Sequence, residues 1–129
     1  MTQENLDALT RFYERWAAGD WTDTSIFDPH AVGVLPDPSP RALYGLEAMG
    51  EYWRHFLESW EGLRMEATDY REVGDSIVVR VHRRGTGRGS RVEVDDHATH
   101  LWTFLGNRVI RLEVFAEESE ALEAAGLSE

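Results

Sequence analysis

The amino-acid sequence predicts an α+β layer fold, with one curved antiparallel sheet and helices segregated on one face. Three observations predict it. Apolar residues recur at helical spacing in two stretches of the first half. From Leu63 to Phe115 the apolar period changes to two. Gly74-Asp75 and Gly106-Asn107 are tight-turn pairs that divide this second part into hairpins.

The first helix is expected over about 3–18, where Leu6, Leu9, Tyr13 and Trp16 share one stripe widened by Phe12. Thr2 is its candidate N-cap and Gly19 its C′ residue. Asp20 is suited to cap a short second helix over about 21–27, carrying Trp21, Ile26 and Phe27. Residues 28–44 hold all four prolines, which excludes a long helix there. Within them Ala31-Val32-Gly33-Val34-Leu35 reads as a short strand ended by Pro36. A second long helix is expected over about 46–60, with Leu46, Met49, Trp53, Phe56, Leu57 and Trp60 on its apolar side and Gly62 as its stop. Strands are expected at 63–73, 76–84, 91–104 and 108–115, with a flexible glycine-rich hairpin around 85–89 and a short helix at 117–125.

Composition narrows the function. The chain of 129 residues fits one domain spanning 1–129, with no repeat and no linker. It has no Cys, which removes disulfides, thiolate metal sites and cysteine nucleophiles. The net charge of −11 argues against nucleic acid or an anionic membrane as partner. No apolar run reaches the ~20 residues that span a bilayer, and the polar N-terminus carries no signal-peptide core, so a cytoplasmic protein is expected. All 13 basic residues are Arg, so lysine Schiff-base chemistry is excluded.

Five segments carry a family resemblance: RFYERWAAGDW at 11–21, FDPHAV at 27–32, YGLEAMGEYWRHF at 44–56, HLWTFLGNRVIRLEVF at 100–115 and EALEAAGL at 120–127. Together with the element order they resemble the nuclear-transport-factor-2-like superfamily, a cystatin-like α+β cone, and within it the SnoaL-like group. The resemblance implies a strongly curved sheet wrapped around the N-terminal helices. It also implies a pocket at the open end for a small, apolar or cyclic molecule. Relatives include steroid isomerases, an epoxide hydrolase, polyketide cyclases and dehydratases, so the fold leaves the reaction open.

Two of those chemistries fit poorly. A steroid-isomerase pattern needs a tyrosine where alignment places Phe12; Tyr13 lies about 100° around the helix. Its base position falls on Leu35, with Asp37 two residues on, and its acid position on His100 or Leu101. The epoxide-hydrolase pattern finds only Arg80-Val81-His82, with Glu113 or Val114 on the last strand. Alternation sets Arg80 and His82 opposite the apolar Ile77, Val79 and Val81. The candidates for catalysis are His97, His100 and Asp37, acting as a proton-abstracting base without a cofactor. The candidate pocket residues are Phe12, Trp16, Leu35, Trp53, Phe56, Thr99, Leu101 and Leu112. No metal site is expected, because His97 and His100, three apart on a strand, face opposite ways and lack a third ligand. The Gly pattern of RRGTGRGSR at 83–91 lacks the strand–loop–helix context of a phosphate loop and reads as a mobile hairpin.

Face assignment depends on register. Without an irregularity Val94 and Leu101 point to opposite faces, and one inserted residue near Asp95-Asp96 would reconcile them. His97, Thr99, Leu101, Thr103 and Ile110 are then concave, while His100, Trp102, Phe104, Arg111, Glu113 and Phe115 are convex. That convex face would be an apolar patch, and it predicts a homodimer through Trp102, Phe104, Arg111, Glu113 and Phe115. The alternatives are an enzyme (isomerase, cyclase, dehydratase or hydrolase), a non-catalytic ligand carrier or sensor, and a dimeric interaction module.

Overall fold

The computed structural model describes residues 3–35 and 41–126. Helix α1 (Gln3–Ala17) buries Leu9, Phe12, Tyr13 and Trp16 along the stripe read from the sequence. It ends as the glycine signalled: Gly19 N–H reaches Trp16 O, and Asp20 N–H reaches Arg15 O at 2.8 Å, which satisfies the last carbonyls. The short helix expected at 21–27 does not form. Asp20 instead accepts the Thr22 N–H and hydroxyl, and Asp23 accepts the Ser25 N–H. These aspartates fold the backbone into local turns that compete with helix. Strand β1 (Phe27–Leu35) then starts four residues earlier than expected. It is followed by β2 (Arg41–Tyr44), which the proline-rich context concealed. Asp37 and the candidate cap Thr2 lie outside the described residues.

Helix α2 (Leu46–Glu58) begins after Gly45, whose φ of 92° only glycine adopts without strain. The meander follows as β3 (Trp60–Val73), β4 (Ser76–Gly87), β5 (Glu93–Leu105) and β6 (Arg108–Phe115), closed by α3 (Glu118–Ala124). Gly74 and Gly106 each take positive φ, 60° and 64°, at the first central position of a two-residue turn, as type II′ geometry requires.

The six strands form one curved, unclosed sheet in the order β2-β1-β6-β5-β4-β3. Strands β3 to β6 are the expected antiparallel meander. Beyond the expectation, β1 joins the sheet parallel to β6, Gly33 opposite Leu112. Helices α1 and α2 lie in the hollow of the sheet, and the main core forms where α1 meets Ile77, Val79, Val81, Trp102, Phe104 and Val109.

The inserted residue exists, but not near Asp95-Asp96. The β4–β5 ladder is continuous from Ser76↔Thr103 to Thr86↔Glu93. The irregularity is in β6: Thr103 pairs Arg111 while Phe104 pairs Val109, so Ile110 is the extra residue. This corrects the faces of β5. His100, Trp102 and Phe104 are concave with Ile77, Val79 and Val81; His97, Thr99 and Leu101 are convex. Trp102 is 0% exposed and Phe104 5%. The apolar convex patch predicted from Trp102 and Phe104 is therefore absent. Phe115, Leu101 and Val78 are on the convex side but are packed under α3 around Ala121. Arg111 and Glu113 pair with each other at 3.3 Å.

Candidate functional site

The hollow between α1, α2 and the inner face of β1, β2 and β6 is not filled. It is a partly open pocket of about 350 Å³, an ordinary volume for a small-molecule cavity. A contrast between the two long helices locates it. Helix α1 has five buried residues, whereas α2, with a comparable apolar stripe, has none. The inner face of α2 borders empty space, so Met49, Trp53 and Phe56 are only partly covered.

Aromatic rings build one wall. Trp53 stacks on Trp16 with centroids 5.0 Å apart and planes at 14°, and on Phe56 at 5.1 Å and 13°. Trp21, from the loop that replaced the expected helix, tilts against Trp16 at 5.4 Å. Glycines set the clearance. A methyl at Gly33 would meet the Met49 side chain at 3.3 Å, whereas one at Gly50 would meet only Arg54 Nη1, at 3.9 Å. The absence of a side chain at Gly50, in mid-helix and lining the hollow, leaves room there.

The polar residues on the lining are few. His100 enters from β5 and is held from behind by a buried chain. Trp102 Nε1–H donates to Tyr13 Oη at 2.8 Å, and Tyr13 Oη is hydrogen-bonded to His100 Nδ1 at 2.7 Å. The indole can only donate, so among these three side chains His100 Nδ1 is the one acceptor for the buried Tyr13 proton, an arrangement that favours the His100 tautomer with its proton on Nε2. Burial pushes the His100 pKa down to about 3, and the positive charge of Arg83 adds to the effect. The ring is therefore neutral at physiological pH, an N–H donor. The same burial holds the Tyr13 phenol well above its ordinary value, so Tyr13 stays protonated.

Arg83, half-buried on β4, also lines the cavity. Its Nε and Nη2 grip both oxygens of Asp96, directly across the ladder, at 2.9 and 3.0 Å. Among the described residues Asp23 is the one carboxylate on the lining. It is occupied by the Ser25 N–H and by Arg15, and these contacts hold its pKa below the ordinary value. Trp53 Nε1–H is buried without a hydrogen-bond partner.

Of the pocket residues expected from sequence, Phe12, Trp16, Leu35, Trp53, Phe56 and Leu112 meet at this cavity. Thr99 and Leu101 do not; the Ile110 bulge puts them on the convex side. Of the catalytic candidates, His100 lines the cavity, and Asp37 lies outside the described residues. His97 is exposed on the convex face, stacked on His82 at 4.9 Å. Arg83 and Tyr13 were not singled out by the sequence. Arg83 is an interruption in an otherwise apolar alternation, Ile77-Val79-Val81-Arg83, and that was its available signal. Among the described residues no cluster of three His, Asp or Glu side chains is placed to hold a metal, and no helix is long and apolar enough to cross a membrane.

The fold and the hollow define a cone-shaped α+β protein with an internal cavity. A SnoaL-like domain model matches residues 9–112, and the chain belongs to the SnoaL-like family of the nuclear-transport-factor-2-like superfamily. Its fold is similar to an NTF2-like protein of unknown function from Burkholderia pseudomallei, with 20% identity, a TM-score of 0.79, and coverage of 95% of this chain and 97% of that one. It is similar to TerC, co-crystallised with polyporic acid, with 20% identity, a TM-score of 0.76, and coverage of 96% and 99%. It also resembles a candidate SnoaL-like polyketide cyclase from Jannaschia sp. CCS1, with 19% identity, a TM-score of 0.76, and coverage of 98% and 93%. No curated protein matches the chain.

Proposed function

We propose that the protein binds a small, flat, largely apolar molecule in this cavity and orients it through one acceptor oxygen at His100. The observation that carries the reading is the pairing of an aromatic-walled hollow with a single imidazole held by Tyr13, itself anchored by Trp102. The stacked Trp16, Trp53 and Phe56 favour a planar ring system, because flat faces maximise contact against parallel rings. A neutral imidazole N–H suits a carbonyl or hydroxyl oxygen, and polarising a carbonyl in a dry site eases proton loss from the adjacent carbon. That chemistry is common to isomerases, cyclases and dehydratases.

As a base, His100 is unsuited at neutral pH, since its pKa lies near 3. Asp23 is tied to Arg15 and Ser25. The described residues thus support binding and polarisation more than proton abstraction, and Asp37 is the remaining candidate for a base. The fold relatives fit a small-molecule role, TerC having been co-crystallised with polyporic acid and the Jannaschia protein being a candidate SnoaL-like polyketide cyclase.

Titration with 2-acetylanthracene, a neutral fused-ring ketone, tests the reading through quenching of the tryptophans. Saturable one-site quenching is expected. Gly50→Leu, which the helix accommodates and which extends into the cavity, should weaken it at least about tenfold, a loss near 1.4 kcal/mol. Non-saturating quenching, or affinity indifferent to Gly50→Leu, would refute the assignment.

A further inference from the structure

We propose that the cavity selects an acid: the ligand carries an ionised oxygen, a carboxylate or acidic enol, that Arg83 receives on the same inner face as His100. This rests on the reading of the cavity as a small-molecule site and names the class of molecule it takes.

The inventory of hydrogen-bonding groups leads there. A guanidinium has five N–H donors in a rigid fork. Asp96 uses Nε–H and one Nη2–H, which leaves both protons of Nη1 and the second proton of Nη2. Of these, one Nη1 proton and the remaining Nη2 proton form the end-on edge of the fork, which matches a second carboxylate as well as the side edge matches the first. Among the described residues no other hydrogen bond to Arg83 is present. His100, on the neighbouring strand and the same face, offers its Nε2–H. Arg83 and His100 thus present only donors, and among the described residues Arg83 carries the only positive charge on the lining. The carboxylate on the lining, Asp23, is fixed in the loop after α1 by its own partners.

Position argues the same way. The inner face of β4 runs Ile77, Val79, Val81 and then Arg83, so a charge replaces an aliphatic where the strand reaches the cavity. Asp96 pairs with Arg83 across the ladder. Beside a hollow it also steadies the arginine side chain while leaving the opposite edge open. The chain as a whole carries −11, so an anion is not drawn by diffuse charge. Its capture has to be local and depends on this one side chain.

The experiment compares 2-anthracenecarboxylate with 2-acetylanthracene, in which a methyl replaces one carboxylate oxygen at nearly equal size. Binding of both is read by tryptophan quenching and calorimetry at mildly alkaline pH, in low and high salt. The expected result is binding of the acid at least about tenfold tighter than the ketone in low salt, with the gap narrowing as salt rises. Arg83→Met should erase the gap by weakening the acid far more than the ketone. Asp96→Asn, which removes the competing negative charge while its amide oxygen still steadies the guanidinium, should tighten the acid and leave the ketone unchanged, so the result does not depend on one variant folding. Equal affinity for the two probes, or a gap that survives Arg83→Met, overturns the acid assignment and leaves the cavity reading standing. Failure of both probes to bind overturns the two together.

Discussion

His97 and His100 lie three residues apart on β5 and share almost nothing. His100 is 3% exposed on the concave side, wired to Tyr13 and close to the cavity, with its basicity suppressed by burial. His97 is exposed on the convex side, stacked on His82, whose Nε2 meets Asp95 at 2.6 Å. The same side chain on the same strand is a fixed neutral donor in one place and a solvated surface ring in the other. The difference shows that function in this fold is a property of sheet face, and that strand parity decides which residues can take part.

The contrast can be broken most forcefully at Trp102, which supports the inner face. Trp102→Ala should cost about 3–5 kcal/mol in urea unfolding, since it empties a fully buried indole site. A next, smaller effect concerns pH. An unfolded histidine takes up a proton below its ordinary 6.5, while folded His100 stays neutral down to about 3. Stability should therefore fall as pH drops through that window. In His100→Gln the fall should be much shallower, whereas His97→Gln should keep it; parallel acid titrations of the three proteins measure this. Tyr13→Phe should cost about 1–3 kcal/mol, because it leaves the Trp102 N–H and His100 Nδ1 without partners in the core. It should also loosen the tautomer, detectable as a changed His100 ring-nitrogen resonance. The smallest effect is expected at His97→Ala, with no resolvable shift of the urea midpoint and no change in probe binding. A large effect there would undo the distinction between the faces.

Much of the architecture was legible. Leu9, Tyr13 and Trp16 announced α1, Gly19 its end, and Gly74 and Gly106 the two tight hairpins, because each signal is local and has one cheap structural solution. The site was legible in its apolar part, since aromatic residues spaced for α1 and α2 must converge on the hollow of the sheet. Its polar part was not. The sequence requires one extra residue between β4 and β6, but an isoleucine bulge carries no glycine or proline to mark it. Placing it at Asp95 instead of Ile110 reversed His100, Trp102, Thr99 and Leu101. The segment 21–27 failed for a different reason: Asp20 and Asp23 serve equally well as helix caps and as turn formers, and here the turns prevail.

The parallel seam between β1 and β6 has a consequence for biogenesis. On a ribosome, Phe27–Leu35 emerges long before its neighbour Arg108–Phe115 has been made. The nascent chain must therefore carry a sticky early strand through most of translation, its edge unmated. The final zipping depends on loop closure across well over half of the polypeptide, which places this step among the slow, topology-limited ones.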